Sequence, residues 1–125
     1  MSIIEKVVHF NQAIIGISCR PKDTLMESED VWLVGALNEE ITEFTDAKTY
    51  VHQVDALADL VYFALGGMYR MGLSAQEIDK VLDAVHEANM TKKKGVKETR
   101  NYDLDAVKSD NWIPPEERFA QILGV

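Results

Sequence analysis

The chain has 125 residues, 46% of them hydrophobic and 27% charged, and a formal net charge of −8. The length suits one domain over residues 1–125, and the composition is that of an ordinary soluble globular protein. The acidic balance argues against nucleic acid or an anionic membrane as a partner. A lone cysteine, Cys19, excludes an internal disulfide framework and fits a reducing compartment. Glu5 and Lys6 put charges where the apolar stretch of a secretory signal would lie, so a cytoplasmic location is expected. The longest uncharged apolar run, Leu60 to Tyr69, is about half of what a membrane-spanning helix needs.

The periodicity is helical nearly throughout, with no strand alternation and no internal repeat. It predicts an all-α bundle of four to five helices. Ser2 and Glu5 have capping-box spacing ahead of a helical face made by Ile3, Ile4, Val7, Val8, Asn11, Ile14 and Ile15. Residues 16–30 read as a connector broken by Gly16 and Pro21. A second helix is predicted from near Ser28 to about Ala47, with Val34, Leu37, Ile41 and Phe44 as its core stripe. Glu40 falls at the edge of that stripe, followed outward by Glu43 and Glu39. The third helix, about Tyr50 to Met71, is apolar nearly all the way round: Val54, Leu57, Val61, Leu65 and Met68 make one face. Gly66 and Gly67 in its interior predict a close helix approach or a kink. Ser74 and Glu77 form a second capping box, opening a helix to about Met90 with Ile78, Val81, Leu82 and Val85 facing the core. Pro114 and Pro115 precede a short last helix carrying Phe119, Ile122 and Leu123, with Gly124 as its stop.

The acids carry the chemistry. Glu39, Glu40 and Glu43 lie within one helical turn or so, and Asp55 and Asp59 are the only charged residues between Val51 and Tyr69. Carboxylates on so apolar a helix are costly unless paired, protonated or bound to metal. Two such faces brought together make an oxygen-rich cage suited to a hard divalent cation, which keeps open positions for substrate phosphates. Lys92, Lys93, Lys94, Lys97 and Arg100 place five of thirteen basic residues within a nine-residue stretch. Residues 94–113 read as a basic, mobile loop whose cations suit phosphate oxygens. Acids, metal and basic flap together suggest hydrolysis of a nucleoside triphosphate.

In order and spacing, four blocks resemble the all-α NTP pyrophosphohydrolases of the MazG-like superfamily. They are Glu39-Glu40-Ile41-Thr42-Glu43, Asp55 to Phe63, Val85 to Lys92, and Asn111-Trp112-Ile113-Pro114-Pro115. That superfamily also holds dimeric dUTPases, dCTP pyrophosphatases and phosphoribosyl-ATP pyrophosphohydrolase, and the likeness is closest to its small single-domain phage and bacterial members. The resemblance implies water attack at the α-phosphorus of a nucleotide, giving a nucleoside monophosphate and pyrophosphate with Mg²⁺, or Mn²⁺ in its place. It implies Glu40, Glu43 and Asp59 as metal ligands, Asp55 as a ligand or neighbouring acid, and Glu39 as a further ligand or the base. Asn89, Lys92 and Lys93 would contact substrate phosphates. Family members share helical bundles between subunits, so a homo-oligomer, dimer or tetramer, is expected to complete the core.

One position departs from the family pattern. The Glu of its Glu-x-x-Asp motif falls at Ala56, while Asp55 offers a carboxylate at i, i+4 to Asp59 instead. The alternative reading is therefore a catalytically impaired member that serves as a helical nucleotide-binding or scaffolding protein. Phosphoribosyl-ATP hydrolysis is the second enzymatic reading, with no residue here specific to it. A di-iron carboxylate bundle wants Glu-x-x-His on two helices; only Asp83-Ala84-Val85-His86 comes near it. Trp32 and Trp112 are candidates for base stacking as well as packing, and Tyr62 lies on the acid-bearing strip. His9, His52 and His86 are scattered and carry no assigned role.

Overall fold

The fold was described for residues 1–125 in a computed structural model. It is helical apart from one short strand pair: α1 (Ile3–Phe10) with a π-helical turn (Asn11–Ile15), α2 (Glu27–Asp46), α3 (Tyr50–Arg70), α4 (Ala75–Asn89), β1 (Lys93–Gly95), β2 (Asp105–Val107) and α5 (Glu116–Leu123). The chain forms two compact units, Met1–Ile78 and Asp79–Val125. No helix is long and apolar enough to cross a membrane.

In the first unit, Ser2 and Glu5 close the predicted capping box, each side chain meeting the other's backbone N–H at 3.0–3.2 Å. Val7 is fully buried and Ile4 nearly so as α1 packs on α3, and such a burial contributes about 2 kcal/mol per side chain. The predicted apolar face does not continue. The helix widens into its π turn at Asn11, and Ile14 and Ile15 are exposed.

Helices α2 and α3 pack along their length, and the face they bury shares only Leu37, Leu65 and Met68 with the stripes the periodicity predicts. Ala36 and Glu40 are the buried residues of α2, with Leu33 and Leu37 half-buried beside them, whereas Val34, Ile41 and Phe44 are exposed. On α3 the buried residues are Ala56, Leu65, Gly66, Gly67 and Tyr69, while Val54, Leu57 and Val61 stay exposed. The reason is close approach. A Cβ built on Gly67 would lie 2.7 Å from a Leu33 methyl, and one on Gly66 would lie 3.2 Å from Asn11 Nδ2. Small residues let the backbones approach there, and the bulkier aliphatic stripe is left on the outside. Wheel periodicity cannot choose between two apolar faces of one helix; side-chain size does.

The connector between α1 and α2 lies against the end of α3. The Tyr69 hydroxyl donates to Ile17 O at 3.0 Å, Arg20 Nη1 to Arg70 O at 3.3 Å, and Asp23 N to Met71 O at 3.2 Å. Gly72 ends α3 at φ +96°, and a Cβ there would fall 2.6 Å from Pro21 O. Gly72→Ala combines left-handed strain with a backbone clash, so a loss of about 2 kcal/mol or more is expected. Thermal melts would then show Tm lowered by roughly 6–10 °C.

The second predicted capping box also forms: Ser74 N donates to Glu77 Oε1 at 3.0 Å and Glu77 N to Ser74 Oγ at 3.1 Å. Along α4, Ile78, Val81 and Ala84 are buried, whereas Leu82 is exposed against expectation. The basic segment predicted as a mobile loop is closed by a strand pair, which three-residue strands make too briefly for alternation to register in sequence. β1 and β2 run antiparallel with Lys93 opposite Val107, Lys94 opposite Ala106 and Gly95 opposite Asp105. Arg100 grips Asp105 through two bonds of 2.6 and 3.2 Å. The Arg100 guanidinium, helped by the Ala106 N–H, holds the Asp105 carboxyl down at about 2. In α5, Gly124 terminates the helix at φ +70° as predicted.

Candidate metal and nucleotide site

Packing α2 on α3 brings one acid-bearing strip of each helix together. One carboxylate oxygen each from Glu40, Glu43 and Asp59 lie within 4.8 Å of one another. Glu40 is buried, Asp59 is half-buried and Glu43 is exposed. Glu40 supplies the decisive detail, because its Oε2 is buried without any hydrogen-bond partner. Buried polar atoms are nearly always satisfied, so an orphaned oxygen on a carboxylate clustered with two more acids calls for a positive partner. Hard oxygen donors on two rigid helices are what a small divalent cation takes.

The electrostatics agree with the geometry. The Glu40 carboxyl is raised from the usual 4.5 to about 7, first by its burial, then by a hydrogen bond with Glu43 and by the charges of Glu43, Asp59 and Asp55. Between about pH 4.5 and 7 the cluster without a cation therefore favours keeping a proton that an isolated glutamate would release.

The other acids sit around this trio. Asp55 is exposed and outside the closest group, and its charge is the weakest of those acting on Glu40. With Glu43, Lys48 and His52 it borders an open concavity at the α2–α3 turn. Glu39 is exposed and shares a second shallow surface with Asn38 and Glu43. Ala56, three residues before Asp59, is 1% exposed. A glutamate at that position would have to enter the packed α3 interior. Tyr62 packs edge-on against Phe10 at 5.5 Å and has no carboxylate partner.

Of the residues assigned to phosphate, Asn89 is the exposed last residue of α4, Lys93 is exposed on β1, and Lys92 is half-buried between them. Lys92 and Lys108 place their ammonium groups 5.7 and 4.4 Å from the Trp112 ring centre. Trp112 thus meets two cations of its own unit, and its indole N–H is buried without an acceptor. Trp32 is 42% exposed, stands edge-on to Phe63 at 6.0 Å, and carries the Arg70 guanidinium 4.1 Å above its ring.

Sequence reasoning missed the set formed by Asn11, Glu29, Arg20 and Arg70. Glu29 accepts from Arg20 at 2.7 Å and from Arg70 at 2.9 Å. Burial would raise its carboxyl, yet the two guanidiniums outweigh that and hold it below the usual value. The available signal was a polar Asn11 on an apolar helix face, and an arginine closing a helix otherwise almost free of charge.

The helical architecture and the paired acid strips fit a nucleotide pyrophosphohydrolase of the MazG-like superfamily. The model of the phosphoribosyl-ATP pyrophosphohydrolase family matches residues 19–89, more than half of the chain. The chain belongs to that family, which supports a pyrophosphohydrolase-type activity on nucleotides. The match contains all five acids and Asn89 and ends before Lys92. No curated protein matches the chain significantly.

Proposed function

We propose that the protein hydrolyses a nucleoside triphosphate at the α-phosphorus in a Mg²⁺-dependent reaction, releasing nucleoside monophosphate and pyrophosphate. The observation that carries this reading is the unpartnered, buried Glu40 Oε2 inside the Glu40, Glu43 and Asp59 cluster. These three carboxylates would hold the cation, with Asp55 beside them, and Mn²⁺ is a suitable substitute. Such a cation, when bound, neutralises phosphate charge and makes water a better nucleophile. Water adds to the α-phosphorus, the bond from that phosphorus to the bridging oxygen breaks, and pyrophosphate departs. Glu39, exposed at the margin of the cluster, is the proposed acceptor of the water's proton. Asn89, Lys92 and Lys93 are proposed donors to phosphate oxygens on the strength of the family resemblance.

Hydrolysis in H₂¹⁸O tests the site of attack. The reading predicts ¹⁸O in the nucleoside monophosphate; label in pyrophosphate would move attack to the β-phosphorus and overturn it. The competing reading is a nucleotide-binding or scaffolding protein without turnover, favoured by Ala56 alone. It predicts nucleotide binding with no labelled product at all.

The proposed assembly is a homo-oligomer, dimer or tetramer. Val34, Ile41 and Phe44 on α2 and Val54, Leu57 and Val61 on α3 are 37–54% exposed. That is an apolar patch of the kind lone soluble domains rarely leave in water. Sedimentation velocity is expected to show a dimer or larger, and Leu57→Glu with Val61→Glu to lower the mass toward one chain. A monomeric wild type at micromolar concentration would contradict this.

A further inference from the structure

A cavity of about 140 Å³ opens beyond the acids, walled by Phe10, Asn11, Trp32, Tyr62, Phe63 and Arg70. Two edge-to-face pairs frame it, Phe10 with Tyr62 at 5.5 Å and Trp32 with Phe63 at 6.0 Å. On α3 its residues follow Asp59 at +3, +4, +7 and +11 (Tyr62, Phe63, Gly66 and Arg70), one helix face running away from the carboxylates. The axial rise from Asp59 to Gly66 is about 10 Å, the reach of a sugar and base beyond an α-phosphate. The walls are aromatic, and the polar groups in them are few and specific.

Those polar groups are mostly donors. Arg70 has five N–H groups and spends Nη1 on Glu29 Oε2 at 2.9 Å. Its guanidinium lies on Trp32 and lines the cavity. Asn11 is 4% exposed and donates one Nδ2 hydrogen to Val7 O at 2.9 Å. That leaves its second N–H and its Oδ1. Gly66 makes room for this amide, since a Cβ there would press on Nδ2 at 3.2 Å. A ligand in this slot must be flat and apolar on its faces. Its edge must offer acceptors to Arg70 and one N–H to Asn11.

We propose that this cavity is the base subsite of the enzyme and that Arg70, anchored by Glu29, makes it select bases with a ring carbonyl beside a ring N–H. Such bases are 6-oxopurines and 2,4-dioxopyrimidines. Adenine has no ring carbonyl, and the one carbonyl of cytosine, O2, has no ring N–H beside it; both direct an exocyclic N–H donor where the guanidinium needs an acceptor. The inference rests on the pyrophosphohydrolase reading for its place in the reaction, but nucleosides can test it apart from that reading. They carry no phosphate and need no metal.

The experiment follows the indole N–H signal of Trp32 in ¹⁵N–¹H spectra during titration with inosine, uridine, adenosine and cytidine in chelator. The Trp112 signal serves as internal control. Saturable shifts of Trp32 are expected with inosine and uridine, and binding weaker by about tenfold, 1.4 kcal/mol, with adenosine and cytidine. Inosine and uridine compared with each other reveal whether the slot takes one ring or two. Arg70→Gln is expected to erase the difference, and Arg70→Lys, which keeps the charge without the fork, to reduce it. Equal affinities, the reverse order or shifts at Trp112 alone would overturn the proposal. So would the absence of any shift in a protein that hydrolyses nucleotides. Selective nucleoside binding without hydrolysis would instead remove the enzymatic reading and leave the subsite standing.

Discussion

Asp59→Asn and Glu40→Ala are each expected to reduce turnover by about 100-fold or more while leaving the helical fold intact. Asp59 is half-buried at the join of α2 and α3, within 4.8 Å of the two glutamates. An amide there keeps the shape and removes the charge, so a loss of rate cannot be assigned to lost packing. Glu40→Ala removes the one buried side-chain oxygen left without a hydrogen-bond partner. Both variants should need more Mg²⁺ to reach their residual rate, which metal titrations at fixed nucleotide would read. Circular dichroism checks the fold. Unchanged turnover in either variant would mean that the cluster is only a concentration of like charge.

The second large effect is on stability against pH. The folded chain keeps the Glu40 proton up to about 7, whereas the unfolded chain releases it near 4.5. Between those values the unfolded state binds fewer protons, so folding stability in chelator should fall as pH rises, and the contribution is gone above pH 7. Glu77 works outside this window: the Ser74 N–H and Lys22 hold it below its ordinary value, so its contribution is lost only at lower pH. Glu29 behaves likewise under the grip of Arg20 and Arg70. Mg²⁺ favours the ionised cluster, so Tm measured with saturating Mg²⁺ should rise relative to chelator, most of all above pH 7. Glu40→Gln, which cannot ionise, should melt higher than wild type in chelator at pH 8 and gain little from Mg²⁺. A wild-type Tm that is flat from pH 4.5 to 8 in chelator would contradict the cluster's electrostatics.

Much of this architecture was legible in the sequence because it is written in local rules. The two Ser-x-x-Glu boxes and the stop at Gly124 depend on backbone chemistry within a few residues, and the Gly66-Gly67 pair stands out because glycines are costly in a helix interior. The acid cluster was legible for a different reason: Asp59 is anomalous on an apolar helix, and an anomaly has few explanations. The core face of α2 was not legible. Val34, Leu37, Ile41 and Phe44 give as good a stripe as Leu33, Ala36, Leu37 and Glu40, which shares only Leu37 with it, and the near contact of Gly67 with Leu33 marks which turns inward. The aromatic cavity was hidden for the same reason, since Asn11, Trp32 and Arg70 come from three elements and share no spacing. The strand pair escaped because each strand has only three residues and its register is held from outside by the Arg100–Asp105 ion pair.

The most direct measurement is pyrophosphate release from a panel of ribo- and deoxyribonucleoside triphosphates with Mg²⁺, with Mn²⁺ and with chelator. Wild type and Asp59→Asn would be assayed side by side. Release that needs the metal and disappears in the variant is the predicted result. Release that persists in chelator, or that Asp59→Asn leaves untouched, would contradict the assignment of Glu40, Glu43 and Asp59 as the catalytic metal site.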